Sequence, residues 1–115
     1  MDRETCKNAG IDYEEGVSRF VGNADIYEKF LRDFVNDPTF SALESALSAR
    51  DIKAAFQAAH TLKGVTGNLS LTDLYSDLVK LTDALRGEGD LSLADSLYPA
   101  VRSDYERAIS FISAC

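Results

Sequence analysis

Apolar residues recur at three- and four-residue spacing along most of the chain, and nowhere does a two-residue alternation persist, so the pattern predicts helices and no sheet. Asp12 is placed to cap a short helix through about Phe20, which Gly22-Asn23 breaks before another helix starts near Ala24. Ile26, Phe30 and Phe34, then Leu43 and Leu47, continue the helical spacing. Asp37-Pro38 interrupts them, either as a kink or as a restart with Asp37 capping and Pro38 in the first turn. Asp51 caps a third segment running to about Leu69, with Ala55, Ala58, Leu62, Val65 and Leu69 as its apolar stripe. A fourth runs from Leu71 or Thr72 to Arg86 on Leu74, Leu78, Leu81 and Leu85. After the loop Gly87-Glu88-Gly89-Asp90, a last helix from about Ser92 to Ser113 gathers Leu97, Val101, Tyr105, Ala108 and Ile112, with Pro99 expected to kink it. The expectation is an all-α fold, an antiparallel four-helix bundle with a short additional N-terminal helix.

The third segment carries the chemistry. At about 100° per residue, His60, the only histidine, falls roughly opposite the apolar stripe and so faces water. Lys53, Phe56, Gln57, Lys63, Gly64 and Gly67 lie on its side of the wheel. Each glycine inside a helix costs about 0.5 to 1 kcal/mol relative to alanine. Gly64, one turn beyond His60, clears the surface for a bulky partner unless it serves internal packing. Gly67 extends that clearing, caps the helix, since Asn68 and Ser70 follow, or does both. Lys63, three residues on, is within reach of the same ring. A neutral imidazole beside a cation suits acceptance and return of a phosphoryl group: one ring nitrogen attacks, and the ammonium pairs with the charge that arrives. No second histidine exists to build a triad, and no serine or cysteine is marked as a partner for His60.

The stretch Ala59-His60-Thr61-Leu62-Lys63-Gly64-Val65-Thr66-Gly67-Asn68-Leu69 closely resembles the signature of histidine-containing phosphotransfer (HPt) domains, carriers in His-Asp phosphorelays. Ile11-Asp12 with Gly16 and Phe20 is similar to the family's N-terminal segment. The resemblance implies His60 as phosphoacceptor, Lys63 as the cation supporting the phosphate, and Gly64 and Gly67 as the small residues admitting a receiver domain. It implies docking of that receiver over His60 and against the N-terminal helix, where Val17, Phe20 and Val21 offer apolar contact. Lys53 and Gln57 line the rim or are simply solvated. Phe56 either joins that surface or packs beneath the N-terminal helix, and Arg86 is a further candidate for approach to the phosphoryl group. The implied partners are a response-regulator receiver domain and a histidine or hybrid kinase; Mg²⁺ is expected on the receiver only, with no cofactor of the chain's own. Two positions depart from the family: many members have glycine at Ser70, and the common Leu-Glu pair of the following helix reads Leu81-Thr82.

Composition narrows the alternatives. At 115 residues with 45% hydrophobic content, the chain is expected to make a single module over 1–115 that buries its own core, as a monomer. A net charge of −7 and a pI near 4.6 oppose binding to nucleic acid or an anionic membrane. No segment approaches the roughly 20 apolar residues of a spanning helix and no signal-type stretch follows Met1, so a cytoplasmic location is expected. Met1 and the compact span favour a free-standing protein. Cys6 and Cys115 are expected as free thiols. No Gly-rich nucleotide loop is present, Gly87-Glu88-Gly89 reads only as a turn, no metal-ligand spacing occurs, and Asp73, Asp77 and Asp83 read as a solvated helix face. Two other functions compete with the carrier: a non-phosphorylated helical module that docks receivers or kinases, which the presence of both His60 and Lys63 opposes, and an acid/base enzyme pairing His60 with Asp83 or Glu106, for which no pocket can be inferred.

Overall fold

The computed structural model describes all 115 residues, Met1 to Cys115, as seven helices without a strand. These are α1 (Arg3–Asn8), α2 (Tyr13–Arg19), α3 (Ala24–Phe34), α4 (Thr39–Ser48), α5 (Ile52–Asn68), α6 (Thr72–Leu85) and α7 (Leu91–Ala114). Side-chain caps begin most of them: Asp12 accepts from the Glu15 amide at 3.1 Å, Asn23 from Ile26 at 3.1 Å, Asp51 from Ala54 at 3.0 Å and Asp90 from Leu93 at 3.0 Å. Each satisfies an amide that has no partner inside its helix. At Asp37-Pro38 the chain restarts rather than kinks: α3 has ended at Phe34, and Asp37 accepts from the Thr39 amide at 2.8 Å.

Helices α4, α5, α6 and α7 each pack on the next, and the short turns between them make successive rods antiparallel. The α3–α4 pair forms the first rod and closes the bundle against α7. Phe40 stacks on Tyr105 at 3.8 Å between centroids, Phe34 meets the same ring edge-on at 6.0 Å, and Tyr98 donates to Glu44 at 2.7 Å. Leu74, Leu78, Leu81 and Leu85 are all buried, as are Val101, Ala108 and Ile112, so the stripes expected for α6 and α7 do form the core. Helix α7 is continuous through Pro99, which is exposed and has no amide to donate to the preceding turn.

Four expectations change. Two short helices, not one, precede the bundle: α1 was not anticipated, because six residues are too few to display a period. It is capped by Asp2, buries Cys6, and is held to α7 by Arg107, which donates to the Asn8 carbonyl at 2.7 Å. Helix α3 is rotated from its expected face, with Tyr27, Leu31 and Phe34 buried while Ile26 and Phe30 are each 44% exposed. Two apolar stripes overlap on α3, and the one containing Tyr27 wins because its hydroxyl donates to the Leu69 carbonyl at 2.7 Å. On α5 the core face is Ala55, Ala59, Leu62 and Thr66, with Ala58 and Val65 only half-buried. Asp77 is only partly solvated. Its Oδ2 is buried without a partner, and desolvation, with the neighbouring Asp104 carboxyl adding to it, pushes its pKa up to about 7. Asp73 and Asp83 are exposed, paired with Arg107 and Arg86 respectively.

Candidate functional site

Helix α5 sets the site. Its C-terminal end closes with the Leu71 amide donating to the Thr66 carbonyl at 3.0 Å and Ser70 to Gly67 at 3.2 Å. The residue in the left-handed conformation there is Ser70, with φ 56°, so Gly67 is not the cap but a helical residue of the last turn of α5. Glycine at position 70, common in the family, would adopt this conformation without steric cost. Serine offsets that cost with its hydroxyl, which donates to Glu15 Oε1 at 2.9 Å, while its carbonyl accepts from the Asp12 amide at 2.9 Å. The departure from glycine thus leaves the turn intact and ties α2 to the end of α5.

On the outward face His60 is exposed, and its side chain makes no hydrogen bond or ion pair. Its ring lies nearly parallel to that of Phe56, one turn earlier, with centroids 5.9 Å apart and planes 12° from parallel. A Cβ added at Gly64 would have no atom within 4 Å. Nothing internal requires glycine there, which removes the packing alternative. At Gly67 the added Cβ would come 3.3 Å from Tyr75 Cε1, so this glycine lets the Tyr75 ring lie close to α5. Lys63 is half-buried and joins no ion pair.

Lys63, Gly64 and Gly67 line one wall of a polar groove of about 400 Å³, faced by Glu15 and Arg19 of α2 and by Tyr75 of α6. Beside it, Phe20 lines an apolar groove of about 320 Å³ with Phe30, Phe34, Val65 and Leu69, which brings α2 and α3 up to the helix that carries His60. The other sequence candidates are less gathered. Val17 is half-buried against the core, Val21 is 96% exposed on the α2–α3 turn with φ 55°, and Lys53 and Gln57 are exposed on α5 ahead of His60. A β-branched residue at that φ is strained, and in the open it gains no packing in return.

Phe56 packs partly against the core and also stacks on His60, and it carries the Arg86 guanidinium carbon 5.4 Å from its ring centroid. Arg86 is fixed in turn to Asp83 at 3.2 Å. Sequence reasoning placed Phe56 on the correct face but saw no role for Arg19 or Tyr75, because which residues of α2 and α6 face α5 is decided by tertiary packing. Thr82 is fully buried with its hydroxyl unpartnered, so it supplies no polar contact to the site. No group of three or more His, Cys, Asp or Glu residues is arranged to hold a metal ion, and no helix is long and apolar enough to cross a membrane.

An all-helical bundle presenting one bare histidine from the middle of a rigid rod is the architecture of a phosphocarrier module. The family model of the Hpt domain matches residues 25–111, most of the chain, and the chain belongs to that family. Membership places it in phosphotransfer within two-component and phosphorelay signalling, as a carrier module rather than a catalyst. The match begins after α2, so Val17, Phe20 and Val21 lie outside it. No curated protein and no solved structure matches the chain.

Proposed function

We propose that His60 is the phosphoacceptor, taking a phosphoryl group from a receiver-domain aspartate or a kinase and passing it to a second receiver aspartate. The observation that carries this is the bare imidazole on α5 with open space at Gly64 one turn away. In the forward step a ring nitrogen attacks phosphorus, the N–P bond forms, the P–O bond to aspartate breaks, and the aspartate leaves as its carboxylate. Lys63, unpaired in the structure, supplies positive charge to the phosphoryl oxygens on His60. Neutralisation during transfer falls to the receiver's own Mg²⁺.

The receiver would cover Gly64 and reach Phe20 through the apolar groove, with Val21 projecting into the contact and Val17 supporting it from behind; Lys53 and Gln57 lie where the rim would fall. Gly67 contributes indirectly, by letting the Tyr75 ring approach α5 along the polar groove that both residues line. A purely docking module remains the competing function, and one experiment separates the two. Incubated with a receiver carrying isotope-labelled phosphate, the chain is expected to take up label that is acid-labile and alkali-stable, and His60→Gln is expected to take up none. Undiminished labelling of that variant would remove His60 from the role, and absence of label on the wild-type chain with intact receiver binding would favour the docking module.

A further inference from the structure

The geometry points to Phe56 as a positioning residue for the phosphoacceptor, a role that rests on His60 being that acceptor. An exposed histidine with no hydrogen bond has two free side-chain torsions, and the direction of its attacking lone pair, which lies in the ring plane, would wander with them. The one aromatic partner of His60 is the Phe56 ring, nearly parallel to it with centroids 5.9 Å apart and planes 12° from parallel. A stack fixes the plane of the imidazole while leaving both nitrogens free of protein donors and acceptors. A hydrogen bond would fix the ring only by occupying one of them.

Phe56 is fit to do this because it is itself held. Its inner side packs against the core, and Arg86 sits over its ring at 5.4 Å, anchored by Asp83. The support therefore runs from α6 through Phe56 to His60. Any aromatic residue four positions before a helical histidine lies near it, so proximity alone would be a trivial consequence of the helix. What goes beyond that is the near-parallel alignment, the core contact that restricts the lower ring, and the absence of any other restraint on the upper one.

The test uses Phe56→Leu, which keeps apolar bulk for the core but removes the ring, and Phe56→Tyr, which restores the ring. Single-turnover transfer from a phosphorylated receiver at saturating concentration should slow on the order of tenfold in Phe56→Leu and return to within about twofold of wild type in Phe56→Tyr, with receiver affinity unchanged in both. NMR of the His60 ring protons in the unphosphorylated chain reports the stack independently: their ring-current displacement should vanish in Phe56→Leu and persist in Phe56→Tyr. Transfer at the wild-type rate in Phe56→Leu would overturn the role, as would a Phe56→Tyr variant that keeps the displacement yet transfers as slowly as Phe56→Leu. Failure of the wild-type chain to accept label at all would instead overturn the phosphoacceptor assignment, and this role with it, even where the ring displacement persists.

Discussion

Two glycines on opposite sides of the α2–α5 region lack a side chain for opposite reasons. At Gly16, buried in α2, a Cβ would overlap the ring of Tyr27, whose hydroxyl reaches across to the end of α5. At Gly64, exposed on α5, a Cβ would meet nothing. The first glycine is demanded by the interior of the molecule; the second costs helix stability and gains nothing inside it, so its reason lies outside. The contrast extends to the surroundings. At Gly16 the Tyr27 ring fills the space a side chain would need, while the outward face of α5 presents His60 and Lys63 unpaired and Gly64 bare.

The largest effect is expected at the closed seam. Gly16→Ala should lower stability by about 3 kcal/mol, because the added Cβ overlaps a Tyr27 ring that is fully buried and tied by its hydroxyl to Leu69, and thermal unfolding would read this as a drop of at least about 10 °C. A smaller loss, under about 1 kcal/mol, would mean that α2 is loosely seated and the contrast with Gly64 overstated.

Other seams contain polar groups at a cost. Thr82→Val replaces an unpartnered buried hydroxyl with a methyl of similar shape and should raise stability by about 1 kcal/mol in denaturant titration. Asp77 tests the α6–α7 seam through pH. Its folded pKa, raised to about 7 from 3.8, means that the folded chain holds a proton the unfolded chain has released between those values. Stability should therefore fall as pH rises from about 4 to about 7 and then level off. The loss should be on the order of 1 kcal/mol, well short of the full shift, because Asp77 is only partly buried. Asp77→Asn should remove that slope, and an unchanged slope would assign it to other carboxylates.

The open face should behave the other way. Lys63→Ala is expected to change stability by less than about 0.5 kcal/mol, since the ammonium pairs with nothing, yet to slow transfer or shorten the lifetime of the phosphohistidine. Both unchanged would leave Lys63 without a function.

Much of this contrast was legible in the sequence on the open side and little of it on the closed side. The outward position of His60 followed from periodicity alone, as did the caps at Asp12 and Asp51, because those depend on residues within one or two turns. The phase of α3 did not follow. Ile26-Phe30 and Tyr27-Leu31 are both plausible stripes, and the choice was made by a hydrogen bond to Leu69, 42 residues away. The core face of α5 was displaced for a similar reason: Thr66 reads as polar, but in a helix its hydroxyl donates to the Lys63 carbonyl at 3.1 Å and its methyl packs inward. Gly67 is not the cap that Asn68 and Ser70 suggested, and its close approach to Tyr75, a residue of another helix, could not be read from the sequence. The raised pKa of Asp77 likewise depends on tertiary packing, through burial first and then the neighbouring Asp104 carboxyl of α7.

The most direct test of the central contrast is Gly64→Gln, with transfer and stability measured on the same preparation. A side chain there should stabilise the helix by a few tenths of a kcal/mol and raise the melting temperature slightly, while phosphotransfer from the receiver falls by tenfold or more because the approach to His60 is obstructed. Transfer at the wild-type rate in a folded Gly64→Gln chain would contradict the account.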